Sequence, residues 1–172
     1  MIGWVSERRG DSRAWSVGYA TAVSLGPENA TWSKLYDALE QLARTSGGAF
    51  AFVLDEGNGL WCVGIPGEPA TTATSGEDRC ADRFYAREVH PHETDLRHGI
   101  VLDVAVTEGD DRYVAISFAS IYVVVVWFDR DFDPRLVRAR IRKALPEIEA
   151  FTLALPPSPG PGADTAAGKL RA

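Results

Sequence analysis

A chain of 172 residues with 45% hydrophobic content can bury one core of ordinary size, and two domains would be cramped. Its formal charge of −6 argues against a surface built to neutralise nucleic-acid phosphates, and the unbroken apolar run Ile121 to Phe128 is too short to span a membrane. Two cysteines, Cys62 and Cys80, are too few for a disulfide scaffold, and the opening MIGWVSERRGDS has no apolar core of a signal peptide, so a cytoplasmic protein with reduced thiols is expected.

In chain order, Met1 to Asp11 is polar. Arg13 to Leu25 alternates Trp15, Val17, Tyr19, Thr21, Val23 and Leu25 with small residues, which is the spacing of a strand. Gly26 and Pro27 end it. Asn29 or Thr31 can then cap a helix whose Trp32, Leu35, Leu39, Leu42 and Ala43 make one apolar stripe, closed by Ser46-Gly47-Gly48. Ala49 to Leu54 and Leu60 to Ile65 read as a hairpin about the turn DEGNG, whose residues tolerate positive φ. After a loop over Pro66 to Ser75, the residues Cys80, Ala81, Phe84, Tyr85 and Val89 share one face of a middle helix, with Arg79, Arg83 and Arg87 on another. Pro91 limits its end. Gly99 to Thr107 predicts a third strand, Arg112 to Phe118 a fourth and Ile121 to Phe128 a fifth, which make a meander.

The fifth strand organises the rest, because a continuous run of β-branched and aromatic residues has no face to spare for water. Asp133-Pro134 then offers a capping carboxylate and a proline at the first helical position. Val137, Ile141, Ala144 and Ile148 predict an amphipathic last helix that keeps Arg135, Arg138 and Arg142 in water, with an interruption expected at Pro146. The result is an α+β fold, a five-stranded antiparallel sheet packed against helices, with an extra N-terminal strand. The boundaries are an extension over 1–28, the domain over 29–155 and a disordered tail over 156–172.

The hairpin Phe50 to Gly64 and, more specifically, the strand, charged linker and basic helix from Arg112 to Ala144 resemble the roadblock/dynein-light-chain family, and within it the MglB-like regulators of Ras-like GTPases. The resemblance runs from about Thr31 to Phe151 and implies the order α-β-β-α-β-β-β-α. It also implies a homodimer, or a heterodimer with another roadblock chain, formed through the middle strand at Ile100, Val101, Leu102 and Val104 and through the middle helix. The implied partner is an MglA-like small GTPase, with Arg79, Arg83 and Arg87 beside Phe84 and Tyr85 as the surface that meets it. The alternative is a roadblock adaptor that touches no GTPase. The first thirty residues have no counterpart in the family, and the middle helix is more charged than is usual there.

No catalytic constellation is expected, and no cofactor or metal. His90, His92, Glu93 and His98 have ligand chemistry, but Pro91 breaks the helical spacing that would gather them, and an exposed loop is the preferred reading. Gly162 to Lys169 has the wrong glycine spacing for a phosphate loop and no preceding strand, so the chain is not expected to bind nucleotide. Cys62 and Cys80 read as small core residues.

Overall fold

A computed structural model describes residues 27–55, 60–68 and 75–155. The strand expected at Arg13 to Leu25 and the tail over 156–172 lie outside the described residues. At the centre stands β5 (Tyr122–Phe128), with all seven residues buried, as its uninterrupted apolar run requires. It pairs with β1 (Phe50–Asp55) on one side and β4 (Arg112–Phe118) on the other, while β2 (Leu60–Gly64) and β3 (Asp103–Val106) form the edges. The order is β2-β1-β5-β4-β3, and every neighbouring pair is antiparallel. β3, β4 and β5 make the expected meander.

Alternation along β5 divides the core in two. Val124 and Val126 join Ala51, Val53, Val114 and Ile116 beneath α1 (Pro27–Ser46) and α4 (Pro134–Ala154). Val123, Val125 and Trp127 join Phe52, Leu54, Tyr113 and Ala115 beneath α2 (Ser75–Phe84) and the turns that follow it. The four central valines have no exposure on either face. Each such side chain contributes about 1.5–3 kcal/mol by leaving water, an upper figure because unfolded chains already bury some surface.

Three boundaries differ from the sequence reading. α1 starts at Pro27, so Asn29 and Thr31 lie inside the helix and neither caps it; proline is favoured at a helix start because its missing N–H would be unpaired there. The middle helix does not stop before Pro91. After α2 the chain makes a π turn over Tyr85–Val89, closed by the His90 N–H donating to the Tyr85 carbonyl, then a 3-10 turn over His90–His92 and α3 (Glu93–Arg97). Pro91 falls at the start of the 3-10 turn, where no donor is needed. The third difference is in the last helix, which passes through Pro146 unbroken. Pro146 is on the solvent side, so the lost hydrogen bond is not stranded in the core, and burial of Ile148 and Thr152 holds the turns beyond it.

The start of α4 is as its sequence implies. Asp133 Oδ1 accepts from the Arg135 N–H at 2.9 Å, with Pro134 at the first helical position. The far end of α1 is capped from outside its own sequence. Arg130 Nη2 donates to the Gly47 carbonyl at 3.2 Å and Arg140 Nη1 to the Thr45 carbonyl, placing two cations at the negative end of the helix. Gly47 adopts φ +69°, the left-handed conformation that ends such a helix.

Candidate partner-binding surface

The surface implied by the resemblance is built from α2, the turns after it, and β3. Arg79, Arg83 and Arg87 are all exposed, as a charged helix face should be. Arg83 is nevertheless tied down: Nη2 lies 2.8 Å from Asp111 Oδ1, Cζ sits 5.7 Å from the centroid of the Trp127 ring, and Nη2 reaches Cys80 Sγ at 3.5 Å. The ion pair with Asp111 is out of line for a hydrogen bond, so its attraction is mainly of charge. Arg83 therefore braces α2 against the β3–β4 turn, and about half of its side chain remains in water. Arg87 Nε pairs with its neighbour Glu88 at 2.9 Å, and Glu88 Oε1 also accepts from the hydroxyl of buried Tyr113 at 2.7 Å.

The two aromatic residues of this stretch separate. Phe84 is fully buried, edge-on to Tyr113 with ring centroids 5.1 Å apart, and cannot anchor a partner; it is a core residue. Tyr85 is half-buried, its hydroxyl 3.3 Å from Glu93 Oε2 and its ring 5.8 Å from His90. The partner surface available here is thus cationic, with Tyr85 at its margin.

β3 is shorter than the expected Gly99 to Thr107. The N–H of Gly99 donates to Leu96 O at 2.9 Å and that of Ile100 to Asp95 O at 3.0 Å, so these residues close α3 and cannot join the sheet. Ile100 and Val101 precede the strand, 58% and 69% exposed, while Leu102 and Val104 are half-buried against the α2 side of the core. Ser117 N–H donates to Leu102 O at 2.9 Å, and Leu102 N–H to Ser117 Oγ at 2.8 Å. By the two-residue alternation of an antiparallel ladder, the backbone groups of Asp103 and Ala105 then face away from β4, toward an edge that no other described strand pairs with.

Sequence reasoning missed one cluster. Arg138 Nε and Arg142 Nη2 bind the two oxygens of Asp103 at 2.6 and 2.8 Å, so two of the three arginines expected to be merely solvated tie α4 to the first residue of the edge strand. The available signal was an acid amid the apolar residues of a strand, which needs a cationic partner if its side chain is half-buried.

The remaining candidates do not converge. Among the described residues no group of three His, Cys, Asp or Glu side chains could hold a metal. His90, His92 and His98 are exposed along helical turns, with His92 Nδ1 3.2 Å from Asp95 Oδ2, so the expected loop is helical instead. No helix among the described residues is long and apolar enough to cross a membrane. Cys62 is buried in β2, and burial pushes its thiol up to about 12; Cys80 is half-buried and pushed up for the same reason, with Arg83 partly offsetting it. Neither is poised as a nucleophile. A thiol whose pKa rises from 9 to about 12 on folding favours the folded state fully below pH 9, and that contribution disappears as pH climbs toward 12. Burial also raises the phenols of Tyr36 and Tyr113, in the same direction. Urea unfolding midpoints are accordingly expected to fall as pH is raised above 9, and less steeply in Cys62→Ala.

No family model and no curated protein matches the chain. Solved structures do. The Myxococcus xanthus MglB superposes with a TM-score of 0.52 at 20% identity, covering 74% of this chain and 94% of that one. A gliding protein MglB from Thermus thermophilus superposes with a TM-score of 0.58 at 12% identity, covering 73% of this chain and 93% of the other. The chain has the roadblock fold of MglB. At these identities the likeness is one of architecture, the helix-flanked sheet already described, and nearly the whole of each MglB chain is accounted for by it.

Proposed function

We propose that the chain is a non-enzymatic regulator of a Ras-like small GTPase and acts as a dimer. The observation that carries this reading is the fold it shares with two MglB structures over nearly their full lengths. The strand–linker–helix stretch Arg112 to Ala144 supports it from the sequence side. Ras-like hydrolysis is slow until charge on the transferring phosphoryl group is stabilised and the attacking water is placed. A regulator that supplies no catalytic group can still do this by gripping the GTPase near its mobile loops. Arg79 and Arg87 are the cations proposed to steer the encounter, with Tyr85 beside them.

The test is GTP turnover by a small GTPase encoded beside this chain's gene, with and without the protein. Stimulation is expected, and Arg87→Ala should raise the concentration giving half-maximal effect while lowering the plateau less than about tenfold, an allowance of about 1.4 kcal/mol. A plateau lost by about a thousandfold would instead mark a direct catalytic arginine. Absence of any stimulation or binding would leave the adaptor reading in its place.

Assembly has its own test. The edge of β3, unpaired among the described residues, and the exposed Ile100 and Val101 are where a second roadblock chain is proposed to pair. Ala105→Pro removes an outward-facing N–H and spares the bonds to β4. Light scattering at tens of micromolar is expected to show a dimer for the parent and a monomer for this variant, with similar melting temperatures. A monomeric parent would overturn the proposal.

A further inference from the structure

The linker before α4 and the first half of that helix carry more positive charge than their structural duties use. Arg130, Arg135, Arg138, Arg140, Arg142 and Lys143 are six of the eighteen Lys and Arg residues of a chain whose net charge is −6. Helix stability does not account for them. The amino end of a helix is the positive end of its dipole, where cations are disfavoured, yet the first turn of α4 has Arg135 and no acidic residue. Their partners account for four: Arg130 and Arg140 cap α1, and Arg138 and Arg142 share the single carboxylate of Asp103. Arg135 and Lys143 are exposed, and neither side chain has an ion-pair partner among the described residues. Of the nearby acids, Asp133 caps α4 and Asp131 is paired with Arg112 at 3.5 Å, while Glu147, exposed one turn beyond Lys143, borders the cations at their far end.

Between these cations lies Leu136, 48% exposed, with exposed Ala139 a turn further along. Arg142 adds a third charge. It is held by Asp103 yet 63% exposed, so one donor of its guanidinium is used and the others stay available on a side chain already ordered. An apolar residue ringed by arginine and lysine, one of them pre-positioned, has the composition of a protein-recognition patch.

We propose that the outer face of α4, Arg135, Leu136, Ala139, Arg142 and Lys143, is a docking site for an acidic segment of a partner protein that carries a leucine or similar apolar residue between its carboxylates. It lies on the opposite side of the sheet from α2 and is independent of the proposed GTPase surface. Charge complementarity selects the occupant. Three available cations suit a short carboxylate-bearing peptide, whereas attachment to an anionic bilayer generally needs a larger basic cluster and would work against the net charge of −6.

The probe is a fluorescein-labelled peptide, Asp-Glu-Asp-Leu-Glu-Glu-Leu-Asp, titrated by anisotropy at low salt against the full chain. Binding tighter than about 1 mM is expected. It should weaken at least tenfold in Arg135→Glu/Lys143→Glu and severalfold in Leu136→Ala, with Arg87→Ala unchanged. Folding is controlled within the same set: all three residues are exposed, and Arg135→Glu places an acid where the helix dipole favours it, so melting temperatures should hold or rise. Binding that survives the double reversal, or a response to Arg87→Ala instead, would overturn the proposal. So would capture by vesicles of phosphatidylcholine with phosphatidylserine in the absence of peptide binding.

Discussion

Val125→Asp is expected to abolish folding. Val125 sits in the middle of the central strand, without exposure, paired with Phe52 on β1 and Ala115 on β4 in the layer beneath α2. An aspartate there loses the valine's apolar burial, about 1.5–3 kcal/mol, and must either hold an ion away from water at a cost of several kcal/mol or take up a proton and remain unpaired. Those losses together match the 5–15 kcal/mol by which domains of this size are stable. The expected result is insoluble protein or a soluble chain without a cooperative thermal transition. Val125→Ala is the control, expected to fold with a loss of about 2 kcal/mol, since a cavity is cheaper than a stranded charge. A soluble Val125→Asp with an unchanged melting temperature would contradict the placement of β5 at the centre of the sheet.

Why β5 was legible in the sequence, and β3 only in part, follows from what each strand buries. A run with no polar residue can only be covered on both faces, and its alternation then fixes which valines face which helices. The stretch from Ile100 to Val106 is nearly as apolar, but its first residues are spent closing α3, a hydrogen-bonding choice that hydrophobic pattern does not report. Prolines misled the reading in a related way. By sequence alone Pro91 limits the middle helix and Pro146 interrupts the last, whereas one sits where no donor is required and the other faces water, so burial of Leu96 on one side and Ile148 on the other carries the chain onward.

The surface was less legible than the core. Arginine spacing on α2 and α4 placed the side chains on helix faces, but what each cation meets depends on residues distant in the chain. Asp103 is 35 residues from Arg138, and Asp111 reaches Arg83 only because the β3–β4 turn folds against α2. Periodicity likewise placed Phe84 on a shared face with Tyr85 without telling which of them the sheet would cover. The π turn that begins at Tyr85 separates them, leaving Phe84 beneath α2 and Tyr85 at the edge.

Gly64→Ala is expected to cost far more than one added methyl group ordinarily does, and nothing in the sequence marked the position. Gly64 ends the edge strand β2, directly under α1, and pairs with Ala51 of β1. A Cβ built on it would lie 2.2 Å from the Glu40 nitrogen, 2.5 Å from the Leu39 carbonyl carbon and 2.7 Å from Leu39 Cβ. These are mostly helix backbone atoms and cannot rotate away as the tip of a side chain would. α1 must therefore shift off β2, and with it Leu35, Leu39 and Leu42, which are among the fully buried residues of that layer. Close-packed interiors resist such a displacement, and overpacking of this kind costs about 1–3 kcal/mol even where side chains can adjust. A rigid neighbour puts the expectation at about 3 kcal/mol or more, a fall in melting temperature on the order of 10 °C for a domain of this length. Gly67→Ala separates space from conformation. Gly67 has φ +84° and nothing within 4 Å of its would-be Cβ, so it should lose only the strain of a left-handed backbone, about 1 kcal/mol. Equal losses at the two glycines would mean that α1 does not seat on β2 through Gly64.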